Sequence, residues 1–201
     1  MFRYLKIAGV HIRIWEKFNT APISEHPKRL ARQHPHRQFE FDAIAAIIPE
    51  PWSWSDIEKE NLGKPYLIDR SHHIGISHSN GFACFGWSFL PFGIDIQTPH
   101  QSIFKVREKY CHPLELTFLS DDPTDIRHLM LWSAKEAIYK YYGHGIDFSQ
   151  DLIASPFSSD DSTIHVECKF SKNKSTTFIV DFIHHDYYIL SLATKKNEEN
   201  L

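Results

Sequence analysis

Hydrophobic positions recur at helical spacing over one long segment of the chain, residues 126–142. Five residues of this segment are separated by steps of three or four and share one helix face: Leu129, Trp132, Ser133, Glu136 and Lys140. The face is apolar where it begins and charged where it ends. Glu136 and Lys140 are either an ordinary exposed ion pair, which stabilises a helix by about 0.2–0.5 kcal/mol, or part of a cleft.

Capping residues flank this segment on both sides. Thr124 or Asp125 can accept hydrogen bonds from the N–H groups of a first helical turn. Gly143 is suited to the left-handed conformation that often ends a helix. The pattern therefore predicts a helix over residues 126–142.

Alternating apolar and polar positions predict strands over much of the remaining chain. The predicted strands cover residues 2–15 (as one or two strands), 74–80, 82–89, 92–97, 164–170, 177–182 and 187–193. Further helices are predicted over residues 39–48, 103–110 and 114–119. Each half of the chain thus has one substantial helix and several strands, which indicates an α+β fold.

A loop at residues 97–102, which contains Pro99, predicts the division of the chain. We place an N-terminal α+β subdomain at residues 1–98 and a C-terminal one at 99–201. The two subdomains are expected to form one composite catalytic unit.

Composition narrows the class of protein. The chain has 201 residues, of which 42% are hydrophobic and 23% are charged, as is typical of soluble globular proteins. Its net charge of −3 gives no overall attraction to nucleic acid. Cys84, Cys111 and Cys168 are widely spaced, which favours reduced thiols and a cytoplasmic location. We see neither a signal peptide nor an apolar run long enough to span a membrane.

One predicted strand carries an acidic residue among apolar ones. Asp95 and Gln97 are two residues apart, so their side chains project from the same face of the strand. A buried carboxylate requires a cation, a metal or a proton. Together with Glu136 these oxygen ligands suit Mg²⁺. The alternative is a salt bridge from Asp95 to Lys135 or Lys140, and spacing alone does not decide between the two.

Basic side chains that can bind phosphate occur in several places: Lys28, Arg29, Arg32, Arg37, Lys64, Lys135 and Lys140. For the basic run at residues 24–38, the residues alone favour a solvated helix face over a phosphate contact. A hydrolase that uses Ser77 and His78 is a weaker alternative. The chain lacks a G-x-S-x-G motif, and neighbouring strand residues point to opposite faces.

Five short motifs follow one another along the chain: GKP at residues 63–65, ISHS at 76–79, GIDIQ at 93–97, WSAKEAIYK at 132–140 and GHG at 143–145. In this order they resemble the 4′-phosphopantetheinyl transferase superfamily, in its monomeric type that activates peptide and polyketide synthetases. The resemblance extends from about residue 37 to residue 152.

The resemblance implies a fold, a reaction and partners. The two α+β subdomains would be related by a pseudo-twofold axis, with the active site between them. Mg²⁺, or Mn²⁺, would be the cofactor and coenzyme A the donor. The acceptor would be a serine of an apo carrier protein in fatty-acid, polyketide or nonribosomal-peptide biosynthesis, and adenosine 3′,5′-bisphosphate would be released. The protein would be a monomer without nucleic-acid or membrane partners.

The resemblance also implies roles for single residues. Asp95, Gln97 and Glu136 would be the metal ligands. Glu136 would take the proton from the acceptor serine, Lys140 would assist the leaving group, and His78 would lie near the 3′-phosphate of coenzyme A. Contacts with coenzyme A are implied for Arg37, Lys64, Ser77, His78, Lys135 and Lys140. Glu115 resembles an acid that the family has near the catalytic helix.

Two positions depart from the family pattern. Gln97 lies where the family often has Glu, so one negative charge of the metal site is missing. Phe41 is bulky where relatives have a small residue, which would reshape the edge of the coenzyme A cleft. Because of Gln97, the alternative function is that of a coenzyme A-binding relative that has lost transfer activity. The positively charged segment 103–109 is either a docking surface for acidic carrier proteins or a solvated helix.

Overall fold

The computed structural model describes residues 2–16, 35–100, 102–171 and 174–196. The chain divides into two compact units, Met1–Leu90 and Pro91–Leu201, which we call the first and the second unit. Each unit has a helix packed on an antiparallel sheet. The predicted α+β fold class is thus confirmed, whereas the pseudo-twofold relation stays a prediction.

The first unit contains β1 (Phe2–Ile7), β2 (Val10–Glu16), α1 (Pro35–Ile47), β3 (Ile57–Lys59), β4 (Pro65–Leu67), β5 (His73–Ser79) and β6 (Phe82–Ser88). Its main sheet has the antiparallel order β1-β2-β6-β5, and β3 and β4 form a separate hairpin. Helix α1 buries Ile44 and Ile47, three residues apart, in a core with Ala83 and Phe85 from one face of β6.

The second unit contains β7 (Gly93–Gln97), α2 (Ser102–Lys105), α3 (Arg107–Tyr110), α4 (Ile126–Tyr142), β8 (Leu152–Ala154), β9 (Thr163–Ser171), β10 (Lys174–His185) and β11 (Tyr188–Lys195). Its sheet has the order β7-β11-β10-β9-β8, and every neighbouring pair is antiparallel. Helix α4 lies on this sheet. Leu129, Ala134 and Ile138 of α4 are buried in one core with Phe178 and Val180 of β10.

Helix α4 forms with the predicted bounds, because both of its caps are satisfied. Asp125 is the N-cap, and its side chain accepts a hydrogen bond from the backbone N–H of Arg127. Gly143 ends the helix in the left-handed conformation, with φ of 91°. In the segments that the structure describes, neither α4 nor any other helix combines the length and apolar character that crossing a membrane requires.

Strand β7 lies in the five-stranded sheet of the second unit. Our boundary after residue 98 puts this strand with the N-terminal subdomain. In the structure it pairs with β11, where Asp95 is opposite Ser191, and the two compact units divide between Leu90 and Pro91. Strand pairing between distant segments determines this division, and the loop at residues 97–102 gives no sign of it.

The shorter elements differ from their predictions. Residues 102–110 contain two four-residue helices, α2 and α3, where we predict one helix over residues 103–110. Residues 115–117 form a single 3₁₀ turn. Strand β8 is absent from the predicted elements because three residues are too few to show an alternating pattern.

Candidate active site

Strand β7 and helix α4 approach each other closely at Gly93. A Cβ atom at this position would lie 1.9 Å from the carbonyl oxygen of Ala137 and 2.8 Å from the backbone nitrogen of Tyr141. Only glycine fits this contact. The strand therefore lies against the backbone of the helix at Gly93, and this contact brings Asp95 beside α4.

The Asp95 carboxylate is buried and holds a different partner on each oxygen. Its side chain has an exposed fraction of 0%, and Oδ1 accepts a hydrogen bond from Lys140 Nζ at 2.6 Å. Oδ2 accepts one from Ser133 Oγ at 2.9 Å. Ser133 Oγ in turn accepts from Ser191 Oγ at 2.8 Å. The salt bridge from Asp95 to Lys140, one of the predicted alternatives, is thus present in the structure.

Glu136 belongs to the same charged cluster. Its side chain is half-buried on α4, one turn before Lys140. Burial raises the pKa of the Glu136 carboxyl, the negative charge of Asp95 raises it further, and the positive charge of Lys140 lowers it. When both acids are ionised, two negative charges and one positive charge lie together, so the cluster can accommodate another cation.

Lys135 takes part in a separate buried network. Its ammonium lies 2.6 Å from Glu115 Oε2, and both side chains have an exposed fraction of 0%. The remaining acceptors of Lys135 Nζ are three backbone carbonyl oxygens, of Tyr110 at 2.7 Å, Phe148 at 2.8 Å and Leu152 at 2.9 Å. Glu115 also accepts from the backbone N–H groups of His112 and Ala154, both at 2.7 Å.

This network ties α4 to the segments before and after it. Burial lowers the pKa of Lys135, and the negative charge of Glu115 opposes that shift. With no exposed surface, the ammonium reaches a ligand only if the network opens. We therefore assign Lys135 and Glu115 to the support of α4, and the coenzyme A contact implied for Lys135 stays an untested prediction.

The other predicted coenzyme A contacts lie in the first unit. Ser77 is buried and His78 is exposed, because neighbouring residues of β5 point to opposite faces. Lys64 is half-buried before β4, and this burial lowers its pKa against the opposing charge of Glu60. Arg37 lies in α1, but its side chain is outside the described residues. Lys28, Arg29 and Arg32 lie outside the described residues as well.

The donor atoms of the charged cluster fit a hard divalent cation. Asp95 and Glu136 supply carboxylate oxygens, and Gln97, half-buried two residues beyond Asp95 on β7, can supply an amide oxygen. Over residues 2–16, 35–100, 102–171 and 174–196, no group of three or more His, Cys, Asp or Glu side chains is arranged to hold a metal ion. The predicted donor set has two such residues, and its third ligand is an amide.

Two serines that are not among the predicted site residues form hydrogen bonds at this site. Ser133 is on the predicted face of α4, but no role follows from its spacing. Ser191 is the single polar residue in the apolar run 188–193. A lone hydroxyl in a buried strand needs a hydrogen-bond partner, and this is the signal that identifies it.

Two further predicted features can be located. Lys105 and Lys109 are exposed, whereas Arg107 forms an ion pair with Asp121 at 2.8 Å. Phe41 packs against Trp54 in an edge-to-face contact, with 5.5 Å between ring centroids. The bulky residue at position 41 is thus held by a neighbouring aromatic ring.

Comparison with known proteins identifies the family. A family model described as the 4′-phosphopantetheinyl transferase superfamily matches residues 91–193, just over half of the chain and all within the second unit. The chain is similar to a 4′-phosphopantetheinyl transferase of Bacillus subtilis, with 26% identity over 139 residues, 67% of this chain and 60% of the relative. It is also similar to the 4′-phosphopantetheinyl transferase psf-1 of Bacillus pumilus, with 29% identity over 107 residues, 51% of this chain and 46% of the relative. The matched region thus spans between about half and 60% of these relatives' lengths. The chain belongs to the 4′-phosphopantetheinyl transferase superfamily.

Proposed function

We propose that this chain transfers the 4′-phosphopantetheine group of coenzyme A to a serine of an apo carrier protein in a Mg²⁺-dependent reaction. The observation that carries this proposal is the cluster of Asp95, Glu136 and Lys140, in a chain of the 4′-phosphopantetheinyl transferase superfamily. Two acids that can hold a metal ion and a lysine that can neutralise phosphate charge suit phosphoryl transfer, which depends on positioning and charge stabilisation.

Asp95 and Glu136 would hold the metal ion, with Gln97 as a further ligand. Bound there, Mg²⁺ would neutralise the pyrophosphate of coenzyme A and make its β-phosphorus a better electrophile. The missing charge at Gln97 is expected to weaken metal binding relative to a site with three carboxylates.

Glu136 is the proposed general base. Its half-buried carboxylate lies beside Asp95 and Lys140, where an acceptor hydroxyl would meet the proposed metal ligands. The acceptor serine gives its proton to Glu136 as its oxygen bonds to the β-phosphorus. The phosphoanhydride bond breaks, and adenosine 3′,5′-bisphosphate leaves with the electron pair.

Lys140 is the proposed ligand of the departing phosphate. Its side chain is 32% exposed, in contrast to the buried ammonium of Lys135. A lysine that is only partly buried can turn its charge towards the phosphate on which negative charge develops. Arg37, Lys64, Ser77 and His78 are proposed to contact the nucleotide part of coenzyme A.

Substitution of the two acids tests these roles. Glu136→Gln and Asp95→Ala are expected to abolish transfer of labelled phosphopantetheine to an apo carrier protein, while the circular dichroism spectrum stays that of the unmodified chain. Glu167→Gln, at a half-buried acid on β9, is the matched control and should transfer normally. Near-normal turnover of either active-site variant would show that the assigned roles are wrong.

The second candidate is a protein that binds coenzyme A without transferring any part of it. Gln97 favours this candidate because it removes a charge from the metal site. Gln97→Glu separates the two functions. If the chain is a transferase with a weakened metal site, this variant should need less Mg²⁺ for half-maximal transfer. If the chain only binds coenzyme A, the unmodified protein retains coenzyme A but leaves the carrier protein unchanged.

A further inference from the structure

We propose that Ser133 and Ser191 are positioning residues that hold the Asp95 carboxylate in the orientation required for the metal. This inference rests on the proposed function. Neither serine would touch the metal or the substrate. They would act through Asp95, by fixing which of its two oxygens faces the cation.

The hydrogen bonds between the three side chains run in one direction. Ser133 has a single hydroxyl proton, which it donates to Asp95 Oδ2 at 2.9 Å. The Ser133 oxygen can then only accept a hydrogen bond, and the Ser191 hydroxyl donates one to it at 2.8 Å. All three side chains have exposed fractions of 0%, so water does not replace these bonds. A buried charged acceptor that loses its donor incurs a larger desolvation penalty than a neutral group does.

The fixed oxygen determines the position of the free end of the carboxylate. With Oδ2 held by Ser133, Oδ1 is directed to the ammonium of Lys140, 2.6 Å away. The Lys140 side chain is partly exposed, whereas Asp95, Ser133 and Ser191 are buried. The structure therefore presents Oδ1 to the place where a cation already lies. A carboxylate free to rotate would share its charge between this place and the buried interior.

The two serines come from the two elements that flank Asp95. Ser191 lies directly opposite Asp95 in the pairing of β7 and β11. Ser133 lies on α4, one turn before Glu136, so the helix that carries the general base also holds the second acid. One rigid helix thus fixes both proposed metal ligands relative to each other, which is how supporting shells maintain site geometry.

Mn²⁺ affinity, measured by water-proton relaxation without coenzyme A, tests the proposal independently of transfer. Ser133→Ala is expected to weaken Mn²⁺ binding by about tenfold, the usual effect of losing a group that orients a metal ligand. It should lower kcat and leave KM for the carrier protein unchanged. Ser191→Ala should have a smaller effect in the same direction, because Ser133 keeps its bond to Asp95.

Cys168→Ala is the control for a purely structural effect. Cys168 is buried in the core of the same unit and is absent from the contacts of Asp95 described above. This variant should lose stability but keep its Mn²⁺ affinity. Unchanged Mn²⁺ affinity in Ser133→Ala, or an equal loss in Cys168→Ala, would overturn the proposal.

Three further outcomes are decided by the same measurements. If Ser133→Ala does not fold, Ser191→Ala decides alone, and an unmodified affinity in that variant refutes positioning. If the unmodified chain binds Mn²⁺ but transfers nothing, the proposed function fails while the affinities of the serine variants still support or refute the positioning role. If the unmodified chain does not bind Mn²⁺ at all, the positioning role is refuted too.

Discussion

At the scale of single residues, the structure shows one of the two partners that spacing allows for Asp95. A buried acid on β7 needs a metal or a lysine, and the structure shows Lys140 at 2.6 Å. The two partners are compatible. Under the proposed function, Lys140 would occupy the cation position in the absence of metal and would move to the phosphate of the substrate when metal binds. Lys140 would then compete with metal for Asp95 Oδ1.

This competition predicts that removing the charge of Lys140 strengthens metal binding. Lys140→Met keeps the length of the side chain and removes its charge. We expect transfer to fall but Mn²⁺ affinity, measured without coenzyme A, to rise about fivefold, the effect of losing an ion pair worth about 1 kcal/mol. Lys169→Met, at an exposed lysine on β9, controls for net charge and should leave both quantities unchanged. A lower Mn²⁺ affinity in Lys140→Met would contradict the competition.

The raised pKa of Glu136 predicts that ionisation of this carboxyl lowers the stability of the folded state. Burial and Asp95 raise its pKa above the ordinary value of 4.5, so the folded state holds this proton more tightly than the unfolded state. The stabilising contribution of the proton is complete below that ordinary value and is lost as pH rises through the folded-state pKa. Ionised Glu136 therefore opposes folding at neutral pH.

Glu136→Gln removes this cost. In metal-free buffer, its Tm at neutral pH should exceed that of the unmodified chain, and the difference should shrink as pH falls towards 4.5. Thermal unfolding followed by circular dichroism at several pH values measures both effects. A difference in Tm that does not change with pH would show that Glu136 is not the group responsible.

At the scale of elements, the position of α4 depends on the buried pair of Lys135 and Glu115. Lys135→Met leaves the Glu115 carboxylate buried without its cation, which typically costs about 3–5 kcal/mol. We expect a loss of this size in the free energy of unfolding by urea. Adding Glu115→Gln should recover part of it, because the uncompensated charge is then removed. Unchanged stability in Lys135→Met would instead favour a role confined to ligand binding.

The same elements show what sequence patterns can predict. Helix α4 has caps and a sustained periodicity, so both its bounds and its charged face are predictable. The pairing of β7 with β11 joins segments about a hundred residues apart, and no local pattern reports it. The partner of Lys135 is likewise invisible, because α4 presents Lys135 and Glu136 next to each other in sequence but in different environments.

The residues of the candidate site likewise include some that the sequence predicts and some that it does not. Asp95, Glu136 and Lys140 are predictable from motif order and come together in the second unit. Ser191 is not, since its role exists only once β11 lies beside β7. A short polar side chain in an apolar strand is a weak signal until its partner is known.

At the scale of the whole molecule, the proposed partner is a carrier protein, and such proteins are typically acidic. Lys105 and Lys109 are exposed in the second unit, whereas Arg107 is already paired with Asp121. We expect Lys105→Glu with Lys109→Glu to raise KM for the carrier protein several-fold and to leave KM for coenzyme A unchanged. Lys195→Glu, at an exposed lysine at the end of β11, is the charge control. Equal changes in both KM values would rule out docking at this surface.

The most direct test of the transfer reaction is the intact mass of an apo carrier protein after incubation with this chain, coenzyme A and Mg²⁺. A panel of fatty-acid, polyketide and nonribosomal-peptide carrier proteins covers the proposed acceptors. We predict that the mass of at least one carrier increases by a single phosphopantetheine group on its serine, and that Glu136→Gln prevents the increase. Carrier proteins that all remain unmodified, with a chain that still binds coenzyme A, would contradict transfer and leave binding alone as the function.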